Sequence, residues 1–296
     1  MKIDGVFSGG GVKSYAFIGA LKKIEEKSLS FERLAGTSAG AIIAALIAAE
    51  YEVEEIEHIL SSLELKELLD APKITQYIPF SKWLFLYFRM GLNKGEKLEQ
   101  WLYKQLASKG IYTFKDLQDG YLKVVVSDLS LGKLIVIPDD LKRVYQIDPN
   151  HFPVSKAVRM SAGFPYFFMP KKLPNQSNEQ SLIVDGGLLS NFPLWVFEND
   201  SGESKRPILG VKLSGEMGTH HPRNIKNAYD MFSALFSTMK QAHDARYVSK
   251  SKQENIIFIP VEDVDTMNFQ IDDATKEKLM KIGYQSAEEF LTYWPT

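Results

Sequence analysis

Arg33-Leu34-Ala35-Gly36-Thr37-Ser38-Ala39-Gly40-Ala41-Ile42-Ile43-Ala44-Ala45-Leu46 is the stretch on which the fold turns. Residues 33–35 read as a short strand and residues 41–49 as a small, apolar helix. Between them lies Gly36-x-Ser38-x-Gly40. A strand that turns sharply into a helix brings backbone close to backbone, so glycine flanks the serine. The turn exposes the serine hydroxyl at a helix N-terminus, where partial positive charge favours a developing anion. The pattern is that of a nucleophile elbow. The pentapeptide alone fits a purely structural turn as well.

Upstream, residues 3–7 read as a strand that ends at Gly9-Gly10-Gly11. A helix is expected over about residues 13–27, with Phe17, Leu21 and Ile24 at helical spacing. Strand, glycine loop, helix, strand, tight turn, helix is a βαβα start and predicts an α/β fold with a parallel sheet. Three successive small residues can turn backbone N–H groups toward an anion, as an oxyanion hole would. A plain turn needs the same residues, whereas a dinucleotide fingerprint would need glycine at position 14, where Ser14 stands.

Downstream, one or two amphipathic helices are expected over residues 53–69 and another over 95–108. A strand pair is expected at 121–126 and 134–137, and a helix at 153–162 with Pro153 in its first turn. Late strands are expected at 182–184, 208–213 and 256–259, and late helices at 224–248 and 274–293. Residues 174–180 and 198–206 read as polar surface loops, and no internal repeat is apparent, so residues 1–296 are taken as one domain.

Composition narrows the function. The 296 residues are 45% hydrophobic and carry a formal net charge of −2, a balance that argues against a nucleic-acid binder working by phosphate neutralisation. There are no cysteines, so disulfides, thiolate metal sites and a cysteine nucleophile are all absent. Asp4 and Gly5 stand where the apolar part of a signal peptide would begin. No apolar run reaches the ~18 residues of a spanning helix. The expectation is a cytoplasmic protein with peripheral membrane contact, with secretion by a route lacking a cleaved signal left open.

A serine nucleophile needs a base. Of five histidines, His58, His151, His220, His221 and His243, none sits in an evident motif. His220 and His221 follow Asp185 in the order Ser, Asp, His of α/β-hydrolases. Asp185 is the better candidate. It ends the apolar strand Leu182-Ile183-Val184, read as parallel, and precedes Gly186-Gly187. That is where α/β folds place ligands, although Asp-Gly also caps ordinary turns.

Together these blocks resemble the patatin-like phospholipases. Gly9-Gly10-Gly11-Val12-Lys13 resembles the family's glycine-rich oxyanion block with its basic residue, and Gly36-Thr37-Ser38-Ala39-Gly40 its elbow. Ser161-Ala162-Gly163-Phe164-Pro165, with Pro170 beyond, resembles the third block. Asp185-Gly186-Gly187, with Asn191 and Pro193, resembles the block holding the catalytic aspartate, and Ser127-Asp128 through Gly132-Lys133 the central hairpin. The resemblance implies a three-layer α/β fold, a central mostly parallel sheet flanked by helices, with residues 74–110 as a helical cap or lid and 200–296 completing the domain. It implies a Ser38–Asp185 dyad, oxyanion donors among Gly9, Gly10, Gly11 and Val12, and no metal or cofactor. The implied activity is hydrolysis of acyl esters in membrane lipids, of phospholipase A or lysophospholipase type. Acyl transfer through the same acyl-enzyme and a catalytically silent lipid-binding protein are the alternatives. Lys13 stands where arginine is usual, and a lysine cannot make the same fork of hydrogen bonds. It is a candidate for meeting a phosphate. Residues 74–92 are rich in Trp, Tyr and Phe, and Trp83 and Phe85 are candidates for lipid contact, since aromatic rings suit the headgroup boundary. A buried cap helix would have the same composition. The run at 240–252, with Lys240, Arg246, Lys250 and Lys252, is a second candidate for membrane contact.

Overall fold

A computed structural model describes residues 1–72, 86–176, 179–199, 204–214, 225–227, 231–232, 234–239, 253–261, 264, 266 and 269–294. Trp83, Phe85, His220, His221, His243 and the 240–252 run lie outside the described residues, as does most of the helix expected at 224–248.

The chain opens with strand β1 (Lys2–Phe7), a 3-10 turn (Gly11–Ser14) and helix α1 (Tyr15–Glu26). Strand β2 (Ser30–Thr37) then runs into helix α2 (Ala39–Ala48) through Ser38. Both follow the sequence reading, with the expected helix start at Lys13 taken up by the tighter 3-10 turn. Helix α2 is apolar all round because it is buried nearly all round. Helix α3 (Val53–Ser61) and a 3-10 turn (Leu65–Leu68) follow. After β3 (Gly91–Asn93) come helix α4 (Glu96–Ser108), strands β4 (Leu122–Asp128) and β5 (Lys133–Ile137), and helices α5 (Leu141–Tyr145) and α6 (Val154–Ser161). Strands β6 (Tyr166–Phe168), β7 (Lys171–Pro174), β8 (Gln180–Asp185), β9 (Ile208–Ser214) and β10 (Ile256–Pro260) precede the last helix, α7 (Asp273–Tyr293). Strands β3, β6 and β7 and helix α5 were not read from the sequence. All are five residues or shorter, too short for a periodicity.

The main sheet has the order β10-β9-β1-β2-β4-β8-β7, with β5 also on β4. From β10 to β4 every pairing is parallel. Strand β8, expected as a parallel strand, runs antiparallel to β4. Residues 124 and 125 of β4 pair with both β2 and β5, and residues 126–128 with both β5 and β8. A strand has two edges, so β2 and β8 share the same edge of β4 and approach each other end to end. Their last residues meet neighbouring residues of β4: Thr37 pairs with Val125 and Asp185 with Val126.

Successive residues of β1 point to opposite faces. Ile3 and Phe7 join the large core formed with the helices. Val6, with Ala35, Ile208 and Ile256, forms a smaller core under Phe192, Leu194 and Phe197. On that second face the buried Asp4 carboxylate is held by the guanidinium groups of Arg33 and Arg206.

Two contacts fix the elements around the elbow. Asp70 accepts the N–H groups of Gly95 (2.6 Å), Glu96 (2.7 Å) and Lys97 (3.1 Å). It thereby caps α4 from outside the helix and staples the two ends of the chain excursion between them. Helices α1 and α7 cross backbone to backbone. A Cβ at Gly19 would lie 1.8 Å from the Met280 carbonyl oxygen, and one at Gly283 would lie 1.8 Å from the Ala16 carbonyl oxygen. Neither helix can yield there without moving its whole backbone. Gly283→Leu should therefore lower the unfolding free energy in urea by about 3 kcal/mol, whereas Lys281→Leu on the same helix should leave it within about 0.5 kcal/mol.

Candidate active site

Ser38 sits between β2 and α2 with φ 55° and ψ −124°. A non-glycine residue there stores about 1–3 kcal/mol of backbone strain and persists only where its surroundings hold it. They do. The Ser38 N–H donates to Ser161 Oγ at 2.8 Å, and that hydroxyl donates to the Val125 carbonyl at 2.7 Å. The Ser38 carbonyl accepts from Ala41 and Ile42. The flanking glycines are required by space: a Cβ at Gly36 would lie 2.4 Å from the Gly40 carbonyl oxygen, and one at Gly40 would lie 2.4 Å from the Phe7 carbonyl oxygen.

Asp185 ends β8 and is buried. Its N–H donates to the Gly163 carbonyl at 3.0 Å, and its Oδ1 accepts the Gly187 N–H at 2.7 Å. The second contact is the Asx-type turn that an Asp-Gly pair favours. Because β2 and β8 meet end to end, Ser38 and Asp185 open into one cavity of about 130 Å³. Its remaining walls are mainly apolar: Ile42 and Ile43 of α2, Leu60 of α3, Leu98 and Trp101 of α4, and Phe164, Phe168 and Phe236.

The glycine loop forms the near wall through Gly10, Gly11 and Val12. Its N–H groups are not equivalent. That of Gly9 donates to the Asn191 carbonyl (3.0 Å) and that of Val12 to the Thr266 carbonyl (3.2 Å). Gly11 has φ +55°, and a Cβ there would lie 2.3 Å from the Thr266 carbonyl oxygen, so the loop admits only glycine at that place. Asn191 Nδ2 donates in turn to the Gly9 carbonyl at 3.3 Å, tying the loop to the segment after Asp185. Lys13 is not among the residues that line the cavity. His58 and His151 do not line it either, and His151 pairs with Asp148 at the surface.

One residue that ties together the elements around the cavity was not singled out from the sequence. Arg159 on α6 is fully buried. Its Nε and Nη2 donate to the carbonyls of Gly95, Lys94 and Met169, and its guanidinium lies 4.7 Å from the Phe168 ring centre. It thus ties α4, β3 and the β6–β7 segment to the helix that ends at Ser161. Burial pulls its pKa down to about 10, while the negative charges of Glu99, Asp70 and Asp185 act the other way. Its only sequence signal was a charged residue on the apolar side of a short helix.

The model for the patatin-like phospholipase family matches residues 5–198. The chain belongs to the patatin-like phospholipase family. Family relatives extend the match beyond that block. The uncharacterized protein YqhO of Bacillus subtilis (strain 168) is 47% identical over 99% of both chains. A cUMP-AMP-activated phospholipase of Escherichia coli is 24% identical over 62% of this chain and 54% of its own length. Among solved structures, VipD from Legionella pneumophila superposes with a TM-score of 0.59 at 17% identity, covering 99% of this chain and 67% of that one. The type III effector ExoU gives a TM-score of 0.52 at 18% identity, and this chain spans about half of it: 98% of this chain and 53% of that one are covered. These likenesses show the fold, a mostly parallel sheet flanked by helices.

Ser161 holds the elbow through a buried hydroxyl that both accepts and donates. Ser161→Ala leaves the Ser38 N–H and the Val125 carbonyl without their partner, at a cost of about 2 kcal/mol. A urea denaturation series should show that loss as a lower midpoint with an unchanged slope.

Proposed function

We propose that this chain is a serine lipid acyl hydrolase of phospholipase A or lysophospholipase type, with Ser38 and Asp185 as its dyad. The observation that carries this reading is the shared cavity. A strained, hydroxyl-bearing turn and a buried carboxylate open together into a space otherwise walled by apolar side chains, which suits an acyl chain.

In this reading Ser38 Oγ attacks the ester carbonyl as Asp185 takes its proton. The carbonyl electron pair moves onto oxygen, and that oxyanion is met by backbone N–H groups of the glycine loop and the positive end of α2. Gly10 and Gly11 are the donors we assign first, because the Gly9 and Val12 N–H groups are engaged with Asn191 and Thr266. Gly9 and Val12 hold the loop in shape. Collapse of the intermediate breaks the ester C–O bond, and Asp185 returns the proton to the departing alcohol. Water then adds to the acyl-enzyme by the same route and releases the fatty acid. Lys13 has no assigned part, as it lies off the cavity wall. Residues 200–296 are taken as part of the same domain, because α7 packs on α1 and Phe236 and Phe269 line the cavity.

Ser38→Ala and Asp185→Asn should each lower fatty acid release from phospholipid by about 10³-fold or more while melting like the parent protein. A fluorophosphonate probe should label the parent and not Ser38→Ala. Full activity in Asp185→Asn, with loss in His221→Ala, would replace the dyad by a triad.

A further inference from the structure

The helical residues 231–232 and 234–239 have two apolar faces. On the inner face Phe236 is buried and lines the cavity beside Phe164, at 4.6 Å between ring centres. Phe232 rests on Tyr166 at 4.7 Å. This segment therefore roofs the cavity into which Ser38 and Asp185 open. On the outer face Met231, Leu235 and Met239 recur at intervals of four and are 53%, 57% and 49% exposed, with Thr238 the polar residue among them. A helix of a water-soluble protein ordinarily turns a polar face outward, and an exposed apolar stripe marks a contact surface.

The stripe does not stand alone. Tyr166, also exposed, pairs through its backbone with Gly91. Just before Gly91 come Tyr87 and Phe88, 80% and 66% exposed and packed edge to face on each other at 4.9 Å. The small sheet β3–β6 thus connects the chain beside Phe232 to the exposed aromatic pair before Gly91. An exposed lysine, Lys226, precedes these helical residues.

We propose that the face formed by Met231, Leu235 and Met239 with Tyr87 and Phe88 docks on the surface of a phospholipid bilayer. The choice of occupant rests on the acyl-hydrolase reading of the cavity. The exposed apolar side chains enter the acyl layer, the aromatic rings lie at the headgroup boundary, and Lys226 adds positive charge toward lipid phosphates. A bilayer on this face lies against the same helical residues whose Phe236 lines the cavity. A second copy of the chain on the same face would instead cover these residues.

The test is flotation with vesicles of phosphatidylcholine and phosphatidylglycerol, using Ser38→Ala protein so that the lipid is not consumed. Replacing Met231, Leu235 and Met239 together by serine should weaken vesicle binding about 100-fold, since three half-exposed apolar side chains lose their transfer into lipid. Tyr87→Ser with Phe88→Ser should weaken it in the same direction. In protein with Ser38 intact, the triple serine variant should hydrolyse a soluble short-chain ester at the parent rate, which also shows that it is folded. Vesicle binding equal to the parent's in both variants would overturn the proposal. So would a parent dimer that the triple variant dissociates without lipid. If the parent cleaves neither soluble ester nor phospholipid while its flotation still depends on the stripe, the hydrolase reading falls and the docking surface stands.

Discussion

Strand β4 carries two strands along a single edge, and the arrangement of the candidate site depends on that. β2 runs parallel to β4 and β8 antiparallel, so the two approach head-on and stop at neighbouring rungs, Val125 and Val126. Chain direction then does what a catalytic loop does elsewhere. It places the residue after Thr37 and the last residue of β8 at one point, on rigid elements hydrogen-bonded along their length. Ser161 binds the same spot from beneath by bridging the Ser38 N–H to the Val125 carbonyl, and Gly186 fits only because nothing larger clears that carbonyl. Precision here comes from a sheet, which distorts less than a loop.

The elements that build the candidate site were legible in the sequence where their constraints are local. Gly36 and Gly40 announce a turn in which backbone touches backbone, and Gly9 to Gly11 announce a loop of small residues. The apolar runs at 121–126 and 134–137, around Leu131-Gly132, gave a strand pair that the structure contains as β4 and β5. The direction of β8 was not legible. Leu182-Ile183-Val184 is equally apolar as a parallel or an antiparallel strand, and only its pairing with β4 settles the matter. Asp185 was singled out from a premise about its strand that the structure reverses, and it lies beside Ser38 for a different reason. Arg159 stayed hidden for a related cause. Its partners are carbonyls of Lys94, Gly95 and Met169, and a carbonyl leaves no trace in sequence.

The aromatic content of residues 74–92 drew attention to membrane contact in that region. Of the aromatic residues in that run, Tyr87 and Phe88 are described, and both are exposed. The stripe at 231–239 was not singled out from the sequence, because Phe232 and Phe236 fall between Met231, Leu235 and Met239 and put apolar residues on both faces. A helix with apolar residues on both faces has the composition of a core helix. Only exposure distinguishes the face that packs from the face that does not.

The glycine contact between α1 and α7 bears on the order in which the protein becomes competent. Helix α1 follows the glycine loop at once, and it completes its packing against the helix that the ribosome makes last among the described elements. This pairing spans nearly the whole chain, and such long-range closure is the slow kind. The first described helix thus lacks its packing partner until the last one has been made. A nascent chain therefore carries Ser38 and Asp185 before the partner helix of α1 has been made.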